Sequence, residues 1–566
     1  MNFERIFDFL HHQVQEKPLE DALACKKNGI WKKYSSLDFL DTVNNVSLGL
    51  MKLGVEKGDK IGIISFNRPE WNFIDFGIQQ LGAISVPMYP NSTIEDYQFI
   101  LEDAEVKYLF VADQGLYEKG VAASEQIDGV KGIFTFDKIS SAKHWLEVEQ
   151  LGKEEGKREE LEIAKNQVQF TDLLTIIYTS GTTGRPKGVK LTHKNVISNS
   201  LSMVEAVPHN EGRMGRTLSF LPLCHIFERT SNYVSILLGN AIYYAESMET
   251  IAENIKEVKP HTFSTVPRLL EKVYDKFITK GMELQGLKKA LFFWALNLGL
   301  RFDPSKNQGG WYNFQLSLAN KLIFSKMREA LGGNVEFIVS GAAALQPRLA
   351  RVFWSAGIKV LEGYGLTETS PGVTFTSYDP DDVRIGTVGV PIKGVKVKIA
   401  EDGEVLVKGD NVMEGYYKRP DATSEAIDSE GWFHTGDIGK LIENRYLKIT
   451  DRKKEMFKTS GGKYIAPQVI ENKFKESLLI EQVMVVGEGQ KFPAALLVPF
   501  EQGLHEWCTH KGIPLSNLND LLKNEKVIDK FQKEVDRLNE NFAQFERIKK
   551  FVLLPEPWTV DGGELT

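Results

Sequence analysis

Short apolar runs alternate with helical patterns over roughly the first 170 residues of the chain. Strands are predicted at residues 60–65, 84–88 and 108–111. The stretch 70–76 predicts the helix that follows the first of these strands. Such alternation is typical of a mostly parallel α/β sheet with helices on both faces.

Three further apolar runs, at residues 173–177, 217–223 and 335–339, also predict strands. Each ends in a loop of small or polar residues, and residues 359–369 repeat this arrangement. Open α/β sheets bind ligands in the crevice outside the carboxyl ends of their strands. We therefore expect these loops to gather around a single nucleotide pocket.

The pattern changes from Gly394 onward to short alternating strands with tight turns. Strands at residues 395–399 and 403–407 are joined by a hairpin turn signal. A smaller α+β unit follows Asp451, with strands at 482–486 and 494–498 and helical material near 527–542. No internal repeat or low-complexity segment interrupts this order.

Composition narrows the class of protein. The chain has 566 residues, which favours two to four domains, and its 42% apolar and 26% charged content is that of an ordinary globular protein. A formal net charge of −7 argues against a nucleic-acid partner. The three cysteines are far apart and lack CxxC spacing, which favours a reducing cytoplasm over a disulfide framework or a cysteine-based zinc site.

One loop, at residues 178–188, carries a dense set of phosphate-binding groups. Its glycines let backbone N–H groups turn inward, its hydroxyls add donors, and Lys187 adds a positive charge. Lys187 is followed by Gly188 rather than by the Ser or Thr of a Walker A motif, so an ordinary P-loop NTPase is excluded. A flexible surface loop is the alternative; phosphate binding is favoured because three Thr, one Ser and three Gly surround one Lys.

An aromatic-rich run at residues 290–296 follows Lys288 and Lys289. A basic flank beside such a helix could lie in a membrane interface. The favoured alternative is a core or subdomain helix. Peripheral membrane contact is therefore a hypothesis, and no apolar run reaches the roughly 20 residues that span a bilayer.

Four motifs follow one another along the chain: 178–188, Tyr-Gly-Leu-Thr-Glu-Thr at 364–369, Trp-Phe-His-Thr-Gly-Asp at 432–437 and Asp-Arg-Lys-Lys-Glu at 451–455. This ordered set resembles the AMP-forming adenylating enzymes, which include acyl-CoA synthetases, luciferases and peptide-synthetase adenylation domains. The residues near Trp294 and at 221–228 are most similar to the long-chain fatty acyl branch.

The resemblance implies an α/β N-terminal domain, residues 1–450, with mixed, mostly parallel sheets and a small β-barrel-like subdomain. A small mobile α+β cap, residues 451–566, would follow a hinge at Asp451. The implied substrates are a fatty acid, ATP and CoA, with Mg²⁺ as cofactor. The implied location is cytoplasmic. Acyl chain length and oligomeric state leave no signal in the sequence.

Joining a carboxylate to the α-phosphate of ATP brings two anions together, so the site must neutralise charge. By resemblance, the triphosphate is held by Thr179, Ser180, Gly181, Thr182, Thr183, Gly184, Lys187 and Thr367. The adenine side is assigned to Gly341, Ala342, Tyr364 and Gly365. Asp437 would accept both ribose hydroxyls and Arg452 would contact the ribose. Without the resemblance, Asp437 is interpreted as a turn residue and Arg452 as a member of a surface salt bridge.

Four side chains are implied in catalysis. Glu368 matches the Mg²⁺ ligand, although a solvated loop acid is its alternative. His225 matches a histidine near the acyl carboxylate, where a structural histidine is the alternative. Lys187 would guide the leaving pyrophosphate. Lys458, together with Gly461 and Gly462, would face the site after the cap rotates to admit CoA, whose thiol is the nucleophile.

The sequence departs from the family's motif pattern at its C-terminus. Family members carry a lysine there that reaches the α-phosphate, and residues 558–566 stop short of its motif. Because the other site motifs are intact, we expect a truncated form of a longer enzyme rather than a crippled first half-reaction. Two other functions stay open: an acyl-AMP ligase that loads a carrier protein, and a nucleotide- and acyl-binding module without adenylation activity.

Overall fold

The computed structural model describes residues 3–155, 157–179, 185–207, 215–477, 479–559 and 562. Its strands are β1 Leu23–Lys27, β2 Ile30–Tyr34, β3 Lys60–Ile64, β4 Ile84–Met88, β5 Val106–Val111, β6 Gly132–Thr135, β7 Lys143–His144, β8 Leu173–Thr179, β9 Lys187–Thr192, β10 Arg216–Ser219, β11 Ala241–Tyr244, β12 Thr262–Thr265, β13 Phe337–Ser340, β14 Lys359–Gly365, β15 Gly372–Phe375, β16 Val390–Pro391, β17 Lys396–Ile399, β18 Glu404–Lys408, β19 Gly415–Tyr416, β20 Phe433–Ile442, β21 Tyr446–Arg452, β22 Phe457–Lys458, β23 Tyr464–Ile465, β24 Ile480–Val486, β25 Ala494–Pro499 and β26 Lys550–Leu553.

The helices alternate with these strands along the chain. They are α1 Asp8–Glu16, α2 Ser36–Lys52, α3 Pro69–Gln80, α4 Ile94–Asp103, α5 Gln114–Ser124, α6 Trp145–Glu155, α7 Arg158–Gln167, α8 His193–Ala206, α9 Ile226–Leu238, α10 Ile251–Val258, α11 Pro267–Glu283, α12 Gly286–Arg301, α13 Gly310–Ala319, α14 Ser325–Ala330, α15 Pro347–Ser355, α16 Pro420–Ala426, α17 Pro467–Phe474, α18 Glu501–His510, α19 Leu518–Leu521 and α20 Glu525–Asn539. In the described part of the chain, no helix is both long enough and apolar enough to span a bilayer.

Two large sheets form the core of the N-terminal part. The first has the order β19-β9-β8-β4-β3-β5-β6-β7, and the second the order β16-β15-β14-β13-β12-β10-β11-β1-β2. The central strands of both sheets pair in parallel. Antiparallel pairs lie at one edge of the first sheet and at both edges of the second. This confirms the predicted mixed, mostly parallel α/β architecture.

Helix α9 lies between the two sheets. Arg229 forms a buried ion pair with Asp75 of α3 and donates to Ser85 of β4, in the first sheet, at 2.6 Å. Two residues along, Ser231 lies 2.8 Å from the hydroxyl of Ser264 on β12, in the second sheet. A fully buried arginine is tolerated because acceptors bind its N–H donors. These contacts fix the position of α9 between the two sheets.

A four-stranded antiparallel sheet, β17-β18-β20-β21, stands where a small β-barrel-like subdomain was expected. Its predicted first hairpin is confirmed, with Ile399 paired to Val405. Asp451 lies in β21, opposite Ile438. The division into residues 1–450 and 451–566 stays a prediction.

The C-terminal residues have their own apolar core, which includes Phe474, Leu497 and Phe531. Strand β24 of their three-stranded sheet, β24-β25-β26, packs against α17, which in turn contacts α20. Polar contacts join this part to the larger one, such as Lys289 to Glu506 at 2.7 Å. The smaller α+β unit that the sequence predicts is therefore confirmed.

The strand predicted at residues 217–223 is wrong in its second half. Strand β10 ends at Ser219, and the chain then runs as a loop to α9. Pro222 has no N–H for a sheet ladder. Asn67 instead binds the loop, because its side chain donates to the Leu221 carbonyl at 2.7 Å and accepts from the Leu223 N–H at 3.1 Å.

Candidate active site

Strands β8 and β9 form an antiparallel hairpin that presents the predicted phosphate loop. Thr179 and Lys187 face each other at its end. Ser180, Gly181, Thr182, Thr183 and Gly184 lie outside the described residues. The two ends of the loop are therefore fixed by sheet pairing at the edge where a nucleotide was expected.

Lys187 and Glu368 are linked through a residue that the sequence did not single out, Tyr416. The ammonium of Lys187 lies 5.1 Å from the centre of the Tyr416 ring, and the Tyr416 hydroxyl donates to Glu368 Oε1 at 2.9 Å. Tyr416 reaches this position because β19 pairs with β9. It lies 48 residues from Glu368 in the chain, so no local spacing could have marked it.

Glu368 stands in a short 3₁₀ turn, Thr367–Thr369, directly after β14. Burial raises the pKa of its carboxyl group, opposed in part by the hydrogen bond from Tyr416. Thr367 beside it is buried. A partly buried acid at the carboxyl end of a central strand is not a solvated loop residue, so its position favours the ligand interpretation.

Tyr364, Asp437 and Arg452 form a second cluster. The Tyr364 hydroxyl donates to Asp437 Oδ2 at 2.7 Å, and Arg452 Nε lies 3.3 Å from Asp437 Oδ1. Asp437 and Arg452 are partners across β20 and β21. Burial raises the pKa of Asp437, while Tyr364 and Arg452 lower it. Residues from three strands thus meet at one buried carboxylate, which is more than a turn residue with a surface ion pair.

The glycines at and near Tyr364 pack closely against neighbouring segments of the chain. A Cβ on Gly365 would lie 1.8 Å from the Pro371 carbonyl oxygen, so only glycine is accommodated there. Gly341 packs against the Phe227 ring, at 3.2 Å for a built Cβ, and Ala342 adopts a φ of 66°. The adenine-side residues of the sequence analysis are therefore neighbours in space.

His225 caps the first turn of α9. Its Nδ1 accepts the Phe227 N–H at 3.2 Å. Burial lowers the pKa of the imidazole, so the ring is neutral near pH 7. Because Nδ1 accepts, the proton of the neutral ring resides on Nε2.

A cavity of about 620 Å³ lies beside His225 and the Tyr364 segment. His225, Gly341, Ala342, Tyr364 and Gly365 line it at one end. It continues from there between α8, α9 and the second sheet, past apolar side chains that no motif had indicated. The walls of this continuation are the main functional feature that the sequence analysis missed.

Lys458, Gly461 and Gly462 lie elsewhere, on the β22–β23 hairpin of the C-terminal part. The Lys458 ammonium lies 4.6 Å from the Tyr464 ring, and its carbonyl accepts the Gly489 N–H at 2.8 Å. Within the described part of the chain, none of the three lines the cavity. Their role stays a prediction that requires a different position of the C-terminal domain.

Comparison with known families covers both parts of the chain. Residues 10–417 match the family described as AMP-binding enzyme, and residues 455–559 match its C-terminal domain. The chain belongs to the AMP-binding enzyme family. Similar curated proteins include the long-chain-fatty-acid–CoA ligase FadD15 of Mycobacterium tuberculosis, 32% identical over 95% of this chain and 89% of that protein. Long-chain-fatty-acid–CoA ligase 1 of Homo sapiens is 34% identical over 90% and 76%.

Solved structures show the same fold as this AMP-binding enzyme. The anthranilate CoA ligase AuaEII in complex with anthranoyl-AMP has a TM-score of 0.73 at 18% identity, covering 98% of this chain and 94% of that one. A Mycobacterium tuberculosis fatty acyl CoA synthetase has a TM-score of 0.61 at 21% identity, covering 98% and 95%. At these identities the likeness is evidence of the fold alone.

Proposed function

We propose that this AMP-binding enzyme is a long-chain fatty acid–CoA ligase. It activates a fatty acid with ATP to an acyl-adenylate and pyrophosphate, then transfers the acyl group to CoA and releases AMP. The observation that carries the proposal is the single cavity that begins at Tyr364 and Gly341 and continues among apolar side chains such as Phe263 and Phe337. The names of the similar ligases support the same substrate class.

In the first step a carboxylate oxygen attacks the α-phosphorus of ATP. The α–β anhydride bond breaks and its electron pair leaves with pyrophosphate. Lys187 offsets negative charge on the leaving phosphates, which a preorganised cation does without reorganisation. His225, neutral with its proton on Nε2, is suited to donate a hydrogen bond to the acyl carboxylate.

Mg²⁺ fits the chemistry of Glu368. The ion prefers one or two carboxylates together with phosphate oxygens and water rather than an all-protein cage. Bound beside Glu368 and the phosphates, the ion would neutralise phosphate charge.

Asp437 is the residue proposed to accept the ribose hydroxyls. One of its oxygens already accepts from Tyr364 and the other faces Arg452, so both are oriented before a ligand arrives. In the second step the CoA sulfur, having lost its proton, attacks the acyl carbonyl carbon. The bond to the phosphate oxygen breaks and AMP leaves. Lys458, Gly461 and Gly462 are proposed to approach for this step.

The acceptor distinguishes this function from an acyl-AMP ligase that loads a carrier protein. Full-length protein should convert labelled palmitate, ATP and CoA to palmitoyl-CoA and AMP. A preference for a phosphopantetheinyl carrier protein over CoA would overturn the assignment.

A binding module without adenylation activity is the other alternative. Measuring palmitate-dependent pyrophosphate release by the full-length protein separates the two. Inactivity with intact ATP binding would favour the module.

We also propose peripheral contact with a membrane, at a different surface from the run at 290–296. Helix α12 buries Phe292 and Leu296 in the core. The following helix exposes Trp311 and Phe314, at 72% and 61%, and their rings are stacked. The double substitution Trp311→Ser and Phe314→Ser should abolish sedimentation with phospholipid vesicles at low salt, while Met248→Ser should not. Absence of vesicle binding by the unsubstituted protein would contradict the proposal.

A further inference from the structure

Glu228 is a buried acid in the first turn of α9 to which the proposed mechanism gives no role. Its side chain is 2% exposed and stands three residues after His225. Burial raises the pKa of its carboxyl group to about 8, and the Ser219 hydroxyl and the Asn232 amide oppose that rise in part. The acid is therefore mostly protonated, and neutral, near pH 7.

The carboxyl group belongs to a polar cluster enclosed by α9, α3 and strands β10 and β11. Asn232, one turn further along α9, donates to Glu228 Oε1 at 3.4 Å and to Ser219 Oγ of β10 at 3.3 Å. Asn72 of α3 donates to Asn232 Oδ1 at 3.3 Å and to the Tyr244 hydroxyl of β11. All five residues are buried, so solvent does not reach the cluster.

Two oxygens of this cluster, Glu228 Oε2 and Asn72 Oδ1, have no hydrogen-bond partner among the described residues. An amide oxygen can only accept, whereas a protonated carboxyl group supplies an O–H donor. An ionised carboxyl group would instead bring a further unmet acceptor and a buried charge, both of which are costly. The make-up of the cluster therefore favours the neutral acid.

The cluster continues into the loop that carries His225. Ser219 Oγ also accepts a hydrogen bond from Asn67 Nδ2 at 3.0 Å. The same Asn67 side chain binds the loop at the Leu221 carbonyl and at the Leu223 N–H, two residues before His225. A continuous series of hydrogen bonds thus joins the loop before His225 to the helix that follows it.

We propose that Glu228 is a positioning residue, which fixes the loop that carries His225 against the first turn of α9. The proposal rests on the proposed function, in which the Nε2–H of His225 donates to the acyl carboxylate. Among the described residues, neither Glu228 nor any other member of the cluster lines the cavity. Its effect on the reaction should therefore pass through the position of the imidazole.

The first experiment compares kcat/KM for palmitate with the KM for ATP. Glu228→Leu removes the acceptor of Asn232 and should lower kcat/KM for palmitate about tenfold, the size expected for one weakened hydrogen bond to a carboxylate. Glu228→Gln keeps an uncharged group of the same shape and should stay within about twofold at pH 7. The KM for ATP should not change in either variant.

A double-mutant cycle tests whether the effect passes through His225. In a His225→Ala background, Glu228→Leu should cause less than about a twofold further loss, because the group that it positions is gone. Losses that multiply would show that Glu228 acts independently of the imidazole, and would overturn the proposal. A His225→Ala variant with unchanged kcat/KM would overturn it too.

Ser219→Ala interrupts the same series of hydrogen bonds and replaces Glu228→Leu if that variant does not fold. Its matched control is Ser47→Ala, which removes an equally buried hydroxyl that donates to Gln80 Oε1 at 2.8 Å. The control should lower the melting temperature and leave kcat/KM for palmitate unchanged. AMP affinity, measured by calorimetry, shows that each variant is folded.

The second experiment follows kcat/KM for palmitate from pH 6 to pH 9. At pH 9, one unit above the pKa of about 8, about nine in ten Glu228 carboxyl groups are ionised inside the cluster. The value for the unsubstituted enzyme should therefore fall about tenfold relative to that of Glu228→Gln, while the two proteins agree below pH 7.

The other titratable groups near the carboxyl group are the same in both proteins. Burial raises the pKa of Tyr244 well above its ordinary value, and Cys25 and Glu70 lie beyond that phenol. On α9 itself, the guanidinium of Arg229 forms its ion pair with Asp75. The ratio of the two pH profiles therefore isolates the titration of the carboxyl group.

The outcomes separate this proposal from the proposed function. Identical pH profiles for the unsubstituted protein and Glu228→Gln, or a loss in Glu228→Leu that appears equally in the KM for ATP, would overturn the positioning role alone. If the unsubstituted full-length protein forms no AMP with palmitate while AMP still binds, the proposed function fails and the positioning role with it.

Discussion

The nucleotide side of the site and the rest of the cavity are built in different ways. On the nucleotide side, polar groups from elements far apart in the chain are held by hydrogen bonds, such as Tyr364 to Asp437 and Tyr416 to Glu368. The rest of the cavity runs along the one face of α9 that is not buried, the α9 stripe, which carries Phe227, Ser231, Val234 and Leu238. Apolar side chains line much of this part, and charged residues such as Glu16 and Lys17 lie at its far mouth. Charge neutralisation requires particular residue types at fixed points, whereas an apolar wall requires only volume and shape.

This difference predicts two kinds of mutational effect. Substitutions at the nucleotide end should reduce turnover with every acid alike. Substitutions on the α9 stripe should change which acid is preferred and leave nucleotide binding intact. The four predictions below act at the nucleotide end, and each would weaken the comparison if its effect depended on acyl chain length.

Asp437→Ala should have the largest effect. It removes the proposed acceptor of both ribose hydroxyls, and two hydrogen bonds to a charged group, at about 1.5–3 kcal/mol each, predict a loss of at least about 100-fold in kcat/KM for ATP. The measurement is the initial rate as a function of ATP concentration at saturating palmitate. Asp421→Ala, at an exposed position on α16, is the control. A KM for ATP within twofold of the unsubstituted value would remove Asp437 from the site.

Glu368→Gln should raise the half-saturating Mg²⁺ concentration by roughly one order of magnitude, because a neutral amide binds the ion more weakly. Burial raises the pKa of Glu368, so protonation begins at a higher pH than for an ordinary glutamate. Lowering the pH through that raised pKa converts the carboxylate to the neutral acid. The Mg²⁺ requirement of the unsubstituted enzyme should therefore rise as the pH falls.

The same pH series in Glu368→Gln provides the control, since the amide does not titrate. Its Mg²⁺ requirement should be high and nearly constant with pH. A parallel pH dependence in both proteins would assign the titration to another group.

Lys187→Ala should weaken ATP binding roughly tenfold through the loss of one charge-assisted contact. AMP lacks the β- and γ-phosphates, so its affinity should not change. Calorimetry with the two nucleotides separates these outcomes, and Lys190→Ala on the same strand should alter neither. Equal weakening of AMP and ATP would place the lysine at the α-phosphate or the ribose instead.

Tyr416→Phe should have the smallest effect, about fivefold on the Mg²⁺ requirement, which corresponds to one hydrogen bond of about 1 kcal/mol. The ring beneath Lys187 is kept, so ATP affinity at saturating Mg²⁺ should be unchanged. Titrations of Mg²⁺ and of ATP in the same protein check both statements. A larger change in ATP affinity than in the Mg²⁺ requirement would contradict the positioning role of the hydroxyl.

Much of the fold was predictable because its strands are continuous apolar runs. The strands near residues 60, 84, 108 and 173 and the hairpin after Gly394 lie where the pattern placed them. The strand predicted to residue 223 ends at Ser219, since Asn67 rather than a neighbouring strand binds the loop around Pro222. Side chains that satisfy a loop from far away leave no periodic signal.

The candidate site was also predictable only in part. Asp437, Arg452, Glu368 and Lys187 were named from motifs, and the structure places each beside a partner. Tyr416 was not predicted from the sequence, because its contact with Glu368 depends on the pairing of β19 with β9. The α9 stripe was not predicted either, because any small or apolar residue can line a channel. Only the burial of the other residues of α9 distinguishes the stripe from an ordinary helix face.

In the proposed function, one continuous site binds the nucleotide and the acyl chain together. The most direct test is the affinity of dodecyl-AMP, a non-reacting analogue of an acyl-adenylate, compared with AMP and with dodecanoate by calorimetry. Dodecyl-AMP should bind at least about 100-fold more tightly than AMP, because both halves are held at once. Asp437→Ala and Val234→Trp should each reduce that affinity. Equal affinities for dodecyl-AMP and AMP would contradict the claim.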